Sequence, residues 1–259
     1  MLVHLSLSLV LLLIFGLVLY VVAILKKDNS VADMGWGLGF ILVSFASVPW
    51  PISIDKVILL TIVTLWGTRL FFRILRRKLL RSGEDARYAK WRSEWRFFYL
   101  RSYFQIFLLQ PILLCLNSSL LVLYFANNHT VTPFCSLSML VGLILWSIGF
   151  MFEVVADFQL DHFYRRRSVS EKFCQKGLWK YSRHPNYFGE ILLWWGIAFY
   201  VAPTIGWVWA IIGPLTITTL LLFVSGIPLA EERLKNDEHY KIYQRKTSVI
   251  IPWFNRKEG

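Results

Sequence analysis

Hydrophobic positions in this chain are gathered into seven long runs, separated by stretches in which basic residues crowd together. The runs cover roughly 3–25, 34–53, 56–75, 104–125, 136–157, 187–203 and 206–228. Several reach the roughly 20 residues that an α-helix needs to cross a hydrocarbon core. Each is therefore predicted to be a transmembrane helix. The first run has no charged leading segment and no small-residue cleavage site, so it reads as a retained helix rather than a cleaved signal peptide. The sixth is the shortest. It is bounded by Pro185 and Pro203 and is expected to be tilted or broken. No internal repeat is evident and no linker divides the chain. The expected fold is all-α: a polytopic membrane protein of about seven transmembrane helices in one bundle, forming a single domain over 1–259.

Composition agrees with that reading. Of 259 residues, 56% are hydrophobic and the mean hydropathy is +0.51, an apolar share above that of ordinary soluble domains. The formal charge of +12 would suggest nucleic acid in a soluble protein. Its distribution gives another source. Lys26 and Lys27 follow the first run, ten basic residues lie between Arg73 and Arg101, seven between Arg165 and Arg183, and seven between Arg233 and Lys257. With seven spans, all four regions fall on one side of the bilayer. Lys56 is left on the other side and Arg69 inside the third run. Retention of Lys and Arg in cytoplasmic loops then places the N-terminus outside and the C-terminus in the cytoplasm. The basic loops are open to two readings, contact with anionic lipid headgroups alone or a phosphate-bearing cofactor held by Arg forks. Cys115, Cys135 and Cys174 have no CxxC spacing, so neither a disulfide framework nor a metal site is expected.

Ionisable groups at membrane depth are costly and point to function. Asp33 opens the second run. Glu153 and Asp157 lie four residues apart late in the fifth, with Asp161 one turn beyond, on one helix face. Glu190 lies early in the sixth. Glu231 and Glu232 follow the seventh. The stretch 177–196 is densest: Tyr181, Arg183, His184, Asn186, Tyr187 and Glu190 surround Pro185, which suits the first turn of a helix. A helix N-terminus there would favour an anionic ligand group.

Gly177–Gly196 resembles the hallmark of a membrane family of unassigned function grouped with the steroid 5-alpha-reductase C-terminal domain. The resemblance extends to Ala156–Leu160, Glu84–Tyr88, Ser225–Pro228 and Tyr240 with Tyr243, Thr247, Ser248 and Pro252. It implies a reductase-like cofactor-binding half over 134–254. It further implies NADPH, with Asp157, Asn186 and Glu190 lining its site and Arg165, Arg166, Arg183 and Tyr181 on its phosphates, beside His184 and Tyr187. The implied chemistry is hydride transfer to an activated C=C of a hydrophobic lipid, sterol-like or isoprenoid substrate. Tyr88, Glu153 and Asp33 are candidates to donate a proton to the substrate oxygen as charge develops there. Three departures argue against a steroid: where those reductases carry an Asn one turn before the Asp this chain has Glu153, the family's His-rich stretch after the seventh span is here Ile227–Glu232, and its substrate-polarising Gln-Glu pair has no counterpart.

Arg183-His184-Pro185 with Tyr187, Gly189, Glu231 and Glu232 also resembles the isoprenylcysteine and phospholipid methyltransferases. That resemblance implies S-adenosylmethionine as the alternative cofactor. A non-catalytic lipid-binding or transport role is the third reading. The expected partners are the lipid bilayer and a hydrophobic small molecule, with no nucleic acid.

Overall fold

The computed structural model describes residues 2–80, 83–127, 136–168 and 171–254. Among these the chain is helical, and six helices are long and apolar enough to cross a membrane. They are α1 (Leu2–Lys26), α3 (Ile54–Leu79), α5 (Phe98–Phe125), α6 (Leu137–Arg166), α7 (Pro185–Ile205) and α8 (Trp207–Glu232). A shorter apolar helix, α2 (Val31–Ser47), makes seven. Outside the spans lie α4 (Ala86–Glu94), a 3-10 turn at Gly177–Lys180 and α9 (Glu238–Lys246). The protein is a polytopic all-helical membrane protein.

The helix ends have local causes. The second apolar run extends to residue 53, yet α2 stops at Ser47. Val48 precedes Pro49 and takes an extended conformation, with φ −70° and ψ 131°, as a residue before proline must. Below α3, the basic last turn Arg76, Arg77 and Lys78 complements the negative end of the helix dipole. Contrary to the expectation of a broken sixth span, α7 is continuous. Pro185 begins it, where no N–H is needed, and Pro203 falls in its last turns. Within α5, residues Tyr103–Leu108 are π-helical. Pro111 lies just beyond, where its ring cannot accept the regular approach of the Phe107 carbonyl.

Contacts gather the chain into two compact units: residues 1–136 with 204–212, and 137–203 with 213–259. In the first, α2 packs on α3, α1 and α5. Two glycines allow the closest approach. A Cβ on Gly37 would collide with the Gly67 carbonyl, and one on Gly16 would sit 2.6 Å from that of Phe107. Small residues of this kind let membrane helices touch backbone to backbone. Phe40, Trp66, Leu120 and Tyr124 are fully buried at the centre. The opposite face of α1, with Leu7, Val10, Ile14 and Val21, is exposed. Water would not sustain so long an apolar face, and lipid does.

In the second unit α6 and α7 run antiparallel. A Cβ on Gly149 would meet the Gly189 carbonyl at 2.6 Å, and one on Gly142 would meet that of Gly196 at 2.6 Å. The Phe152 and Phe188 rings pack edge to face at 5.1 Å.

Candidate functional site

Among the described residues, each unit carries a cluster built from side chains that the sequence singles out. In the first, the chain between α1 and α2 meets the chain leading into α4. Tyr88, on α4, donates its hydroxyl to Asp33 Oδ1 at 2.6 Å, while Arg87 Nη2 donates to Asp33 Oδ2 at 2.7 Å. Arg87 Nε also reaches Asp85 at 3.0 Å. Beside this lies Glu84, which receives a two-pronged Arg92 guanidinium at 2.8 and 2.9 Å and the Asn29 N–H at 2.7 Å. The Asp85 N–H donates to Ser30 Oγ at 2.8 Å and the Asn29 side-chain amide to Ser102 Oγ at 3.0 Å. Lys78 pairs with Asp28.

These bonds set the protonation states. Burial pushes the Tyr88 phenol well above its ordinary range, and the neighbouring Asp33 charge and hydrogen bond push it the same way. Tyr88 therefore stays a protonated donor at neutral pH. Burial alone would raise Glu84, but the Arg92 bonds and the Asn29 N–H outweigh it and hold the carboxyl below its usual value. A depressed folded pKa contributes stability above the unfolded value of about 4.3 and loses it as pH falls through the folded value. Glu84→Gln is accordingly expected to lower the melting temperature at pH 7 and to flatten its decline between about pH 4.5 and the acid limit. A melting series across that range in detergent checks this. A variant whose acid decline parallels the parent's would leave Glu84 no part in it.

The second cluster surrounds the start of α7. Register carries it: Gly189 lies against Glu153, since a Cβ there would meet the Glu153 backbone N at 2.6 Å. Stepping one turn toward the C-terminus of α6 and one toward the N-terminus of α7 brings Asp157 level with Pro185 and Asn186. Glu153 and Asp157 are both buried on α6. Asn186 and Glu190 share a face of α7, both partly buried. Asn186 Oδ1 is shielded from solvent and has no hydrogen-bond partner among the described residues. A buried amide oxygen without a donor costs free energy unless a ligand or water supplies one.

His184 and Arg183 are occupied differently. His184 Nε2 lies 2.9 Å from Glu231 Oε1, and its ring stacks on Tyr187 at 5.3 Å with 7° between planes. Arg183 Nε lies 3.1 Å from the same oxygen, as an ion pair rather than an aligned hydrogen bond. Its Nη1 donates to the Gln244 carbonyl at 3.1 Å. Gln244 Nε2 completes the set by donating to Glu231 Oε2 at 2.7 Å. Tyr240 flanks Glu231, and burial together with that charge raises its phenol far above the ordinary range.

The structure thus brings Asp33 to Tyr88 in one unit. In the other it brings Glu153 and Asp157 to the level of Asn186 and Glu190, with His184, Arg183 and Tyr187 at the helix start. Arg165 and Arg166 are exposed in the last turn of α6. Tyr181 turns to the C-terminal tail, where its ring meets Phe254 at 6.2 Å. Sequence reasoning missed Gln244, Arg92, Asn29 and Ser30. Gln244 is 61 residues from Arg183, and no local pattern announces such a pairing. A separate cavity of about 460 Å³ opens among Phe163, Phe173, Lys172, Lys176, Asp237 and His239. None of the residues singled out from sequence lines it.

Three relatives frame the site. An uncharacterized protein of Schizosaccharomyces pombe is 26% identical over 92% of this chain and 77% of its own length. The very-long-chain enoyl-CoA reductase of Dictyostelium discoideum is 30% identical over 51% of this chain and 42% of its own. The bovine (Bos taurus) 3-oxo-5-alpha-steroid 4-dehydrogenase 1 is 28% identical over 44% of this chain and 41% of its own. The chain thus aligns with about two fifths of each of those two enzymes. No solved structure matches it significantly. A family model described as "Protein of unknown function (DUF1295)" matches residues 19–247. Since that match takes in both clusters and the helices from α2 to α8, the chain belongs to this family.

Proposed function

We propose that the protein is an NADPH-dependent membrane reductase that transfers hydride to an activated C=C of a hydrophobic lipid, sterol-like or isoprenoid substrate. The observation that carries this reading is the α6–α7 register, which sets Asp157 level with Asn186 and its unpartnered amide oxygen. A carboxylate and an amide on adjoining helices suit the hydroxyls and amide of a dinucleotide, which offer both donors and acceptors. The names of the two partly matching enzymes support the same class. NADPH would supply the hydride and its electron pair. The chain's own residues would hold it: Asp157, Asn186 and Glu190 as hydrogen-bond partners, with Arg165 and Arg166 at the exposed end of α6 as the phosphate-facing charges. Arg183 and His184 act through Glu231, shaping the turn that begins α7. Among the proton-donor candidates, Glu153 lies in this same unit, one turn from Asp157 on α6; Tyr88, which keeps its phenol proton and donates it to Asp33, lies in the other. The basic loops support a cytoplasmic C-terminus and an N-terminus outside.

The alternative, an S-adenosylmethionine-dependent methyltransferase, draws on Glu231 and Glu232 as partners for a sulfonium or amino group. Glu231 is engaged by His184, Arg183 and Gln244, and Glu232 is exposed and paired with Lys235. That engagement favours the reductase.

Calorimetry of the detergent-purified protein with NADPH and with S-adenosylmethionine tests both. Saturable NADPH binding is expected, weakened at least about tenfold by Asn186→Ala, a loss of about 1.4 kcal/mol. Glu190→Ala and Asp157→Asn are expected to act likewise. Parent-like NADPH affinity in all three variants would overturn the site. Binding of S-adenosylmethionine alone would overturn the reductase reading.

A further inference from the structure

The chain after α9 has an unusual surface. From Ser248 to Phe254 it lies outside every apolar span, yet Ile251, Trp253 and Phe254 are 63%, 68% and 79% exposed. Val249 is exposed beside them. This segment is held in place by hydrogen bonds to its backbone groups. Arg183 N–H donates to the Ser248 carbonyl at 2.8 Å, Ser182 Oγ to the Ile250 carbonyl at 2.7 Å, and Trp253 N–H to the Tyr181 carbonyl at 3.0 Å. The ring of Phe254 stands edge-on to that of Tyr181.

All three bonds go to residues 181–183, immediately before Pro185 opens a transmembrane helix. The tail is therefore tied at the depth where α7 enters the bilayer. Basic groups share the neighbourhood. Lys180 is exposed, with its ammonium 5.8 Å from the Tyr181 ring centre, and Arg245 is exposed at the end of α9. In sequence Arg256 and Lys257 come two and three positions after Phe254. Exposed Trp, Phe and Tyr mixed with Lys and Arg match the chemistry of the headgroup layer, where aromatic rings and cations are both favoured.

We infer that residues 248–254, with Tyr181 and Lys180, form an interfacial anchor that docks on the anionic headgroup layer of the membrane the protein spans. The occupant follows from two observations: the tether to the entry of α7 puts the patch beside the bilayer, and its cations complement acidic lipid. The anchor needs neither cofactor nor substrate, so it stands independently of the reductase reading. Its consequence is local. Docking holds Ser182 and Arg183 in place from the outside, while Glu231 holds Arg183 and His184 from within.

The test is nitroxide labelling of the full chain in nanodiscs of phosphatidylcholine with or without phosphatidylglycerol. Ile251→Cys is introduced with Cys115, Cys135 and Cys174 replaced by serine, leaving Trp253 and Phe254 intact. A label at Glu238→Cys, exposed at the start of α9, is the aqueous reference. The expected result is a severalfold lower collision rate with a water-soluble nickel chelate at 251 than at 238, with oxygen collisions raised. Phosphatidylglycerol should deepen the label. Adding Trp253→Ser and Phe254→Ser should return 251 to the aqueous reference while a label at Glu94→Cys, in the other unit, reads unchanged. Equal chelate access at 251 and 238 in both lipids would overturn the anchor. So would protection at 251 that persists in detergent and scales with protein concentration, which would make the patch an interface between copies.

Discussion

Glu231→Ala is expected to destabilise the second unit by about 3 kcal/mol, because it removes the carboxylate that His184, Arg183 and Gln244 share. The side chains of His184, Arg183 and Glu231 are only 7%, 10% and 16% exposed. Water cannot freely replace the lost carboxylate there. The imidazole is left without this partner, and the guanidinium keeps only its bond to the Gln244 carbonyl. Glu231→Gln keeps an acceptor oxygen and a similar shape, so its cost should fall to about 1 kcal/mol, near the worth of the lost charge on a hydrogen bond. Chemical unfolding in mixed micelles, followed by proteolysis within 171–254, separates the two. Equal loss in both variants would mean that the charge, not the hydrogen-bond set, holds the turn. No loss in either would remove the network from the stability of the unit.

Gly189→Val is expected to have an effect of comparable size by a different route. The added Cβ would lie 2.6 Å from the Glu153 backbone N and 2.6 Å from the Gly149 carbonyl. Both neighbours are backbone atoms inside a membrane helix, and no side-chain rotation relieves them. The helices must separate, which breaks the continuous contact from Gly142 and Gly196 to Gly149 and Gly189. Overpacking of this kind costs about 3 kcal/mol or more when the obstacle is backbone. It also moves Asp157 away from the level of Asn186, so NADPH binding should be lost even in protein that remains inserted. Met151→Leu, on the exposed face of α6, should leave melting and binding unchanged. A Gly189→Val protein that melts and binds as the parent does would show that α6 and α7 are not held by this contact.

The membrane class, the number of helices and their approximate places are properties of the sequence alone. Twenty apolar residues in a row have one low-energy solution in hydrocarbon, a helix that satisfies its own backbone. No tertiary contact is needed to choose it. Helix ends are less legible from hydropathy, because they answer to local geometry. Pro49 and Pro51 stop α2 at Ser47 although Val48, Trp50 and Ile52 are as apolar as what precedes them. In the other direction α6 runs on to Arg166 through Asp157 and Asp161, since a buried face and an exposed one can share a helix.

The residue types of the candidate site were also legible. Charged and amide side chains at membrane depth are too costly to be incidental, so Asp33, Glu153, Asp157, Asn186 and Glu190 announce themselves. Their partnerships do not. Asp33 meets Tyr88 and Arg87 across more than fifty positions, and Glu231 reaches His184 across 47. Chain spacing carries no information about such pairs, because they depend on which helices adjoin and in what register. Tertiary structure decided that Arg183 and His184 serve Glu231. It set Asp157 level with Asn186 through a glycine contact, and it left Trp253 and Phe254 facing outward from a tail pinned at the entry of α7. The physical reason is the same in each case. Hydrophobic length is read by the solvent one segment at a time, whereas a hydrogen bond between distant residues exists only once packing has brought both ends together.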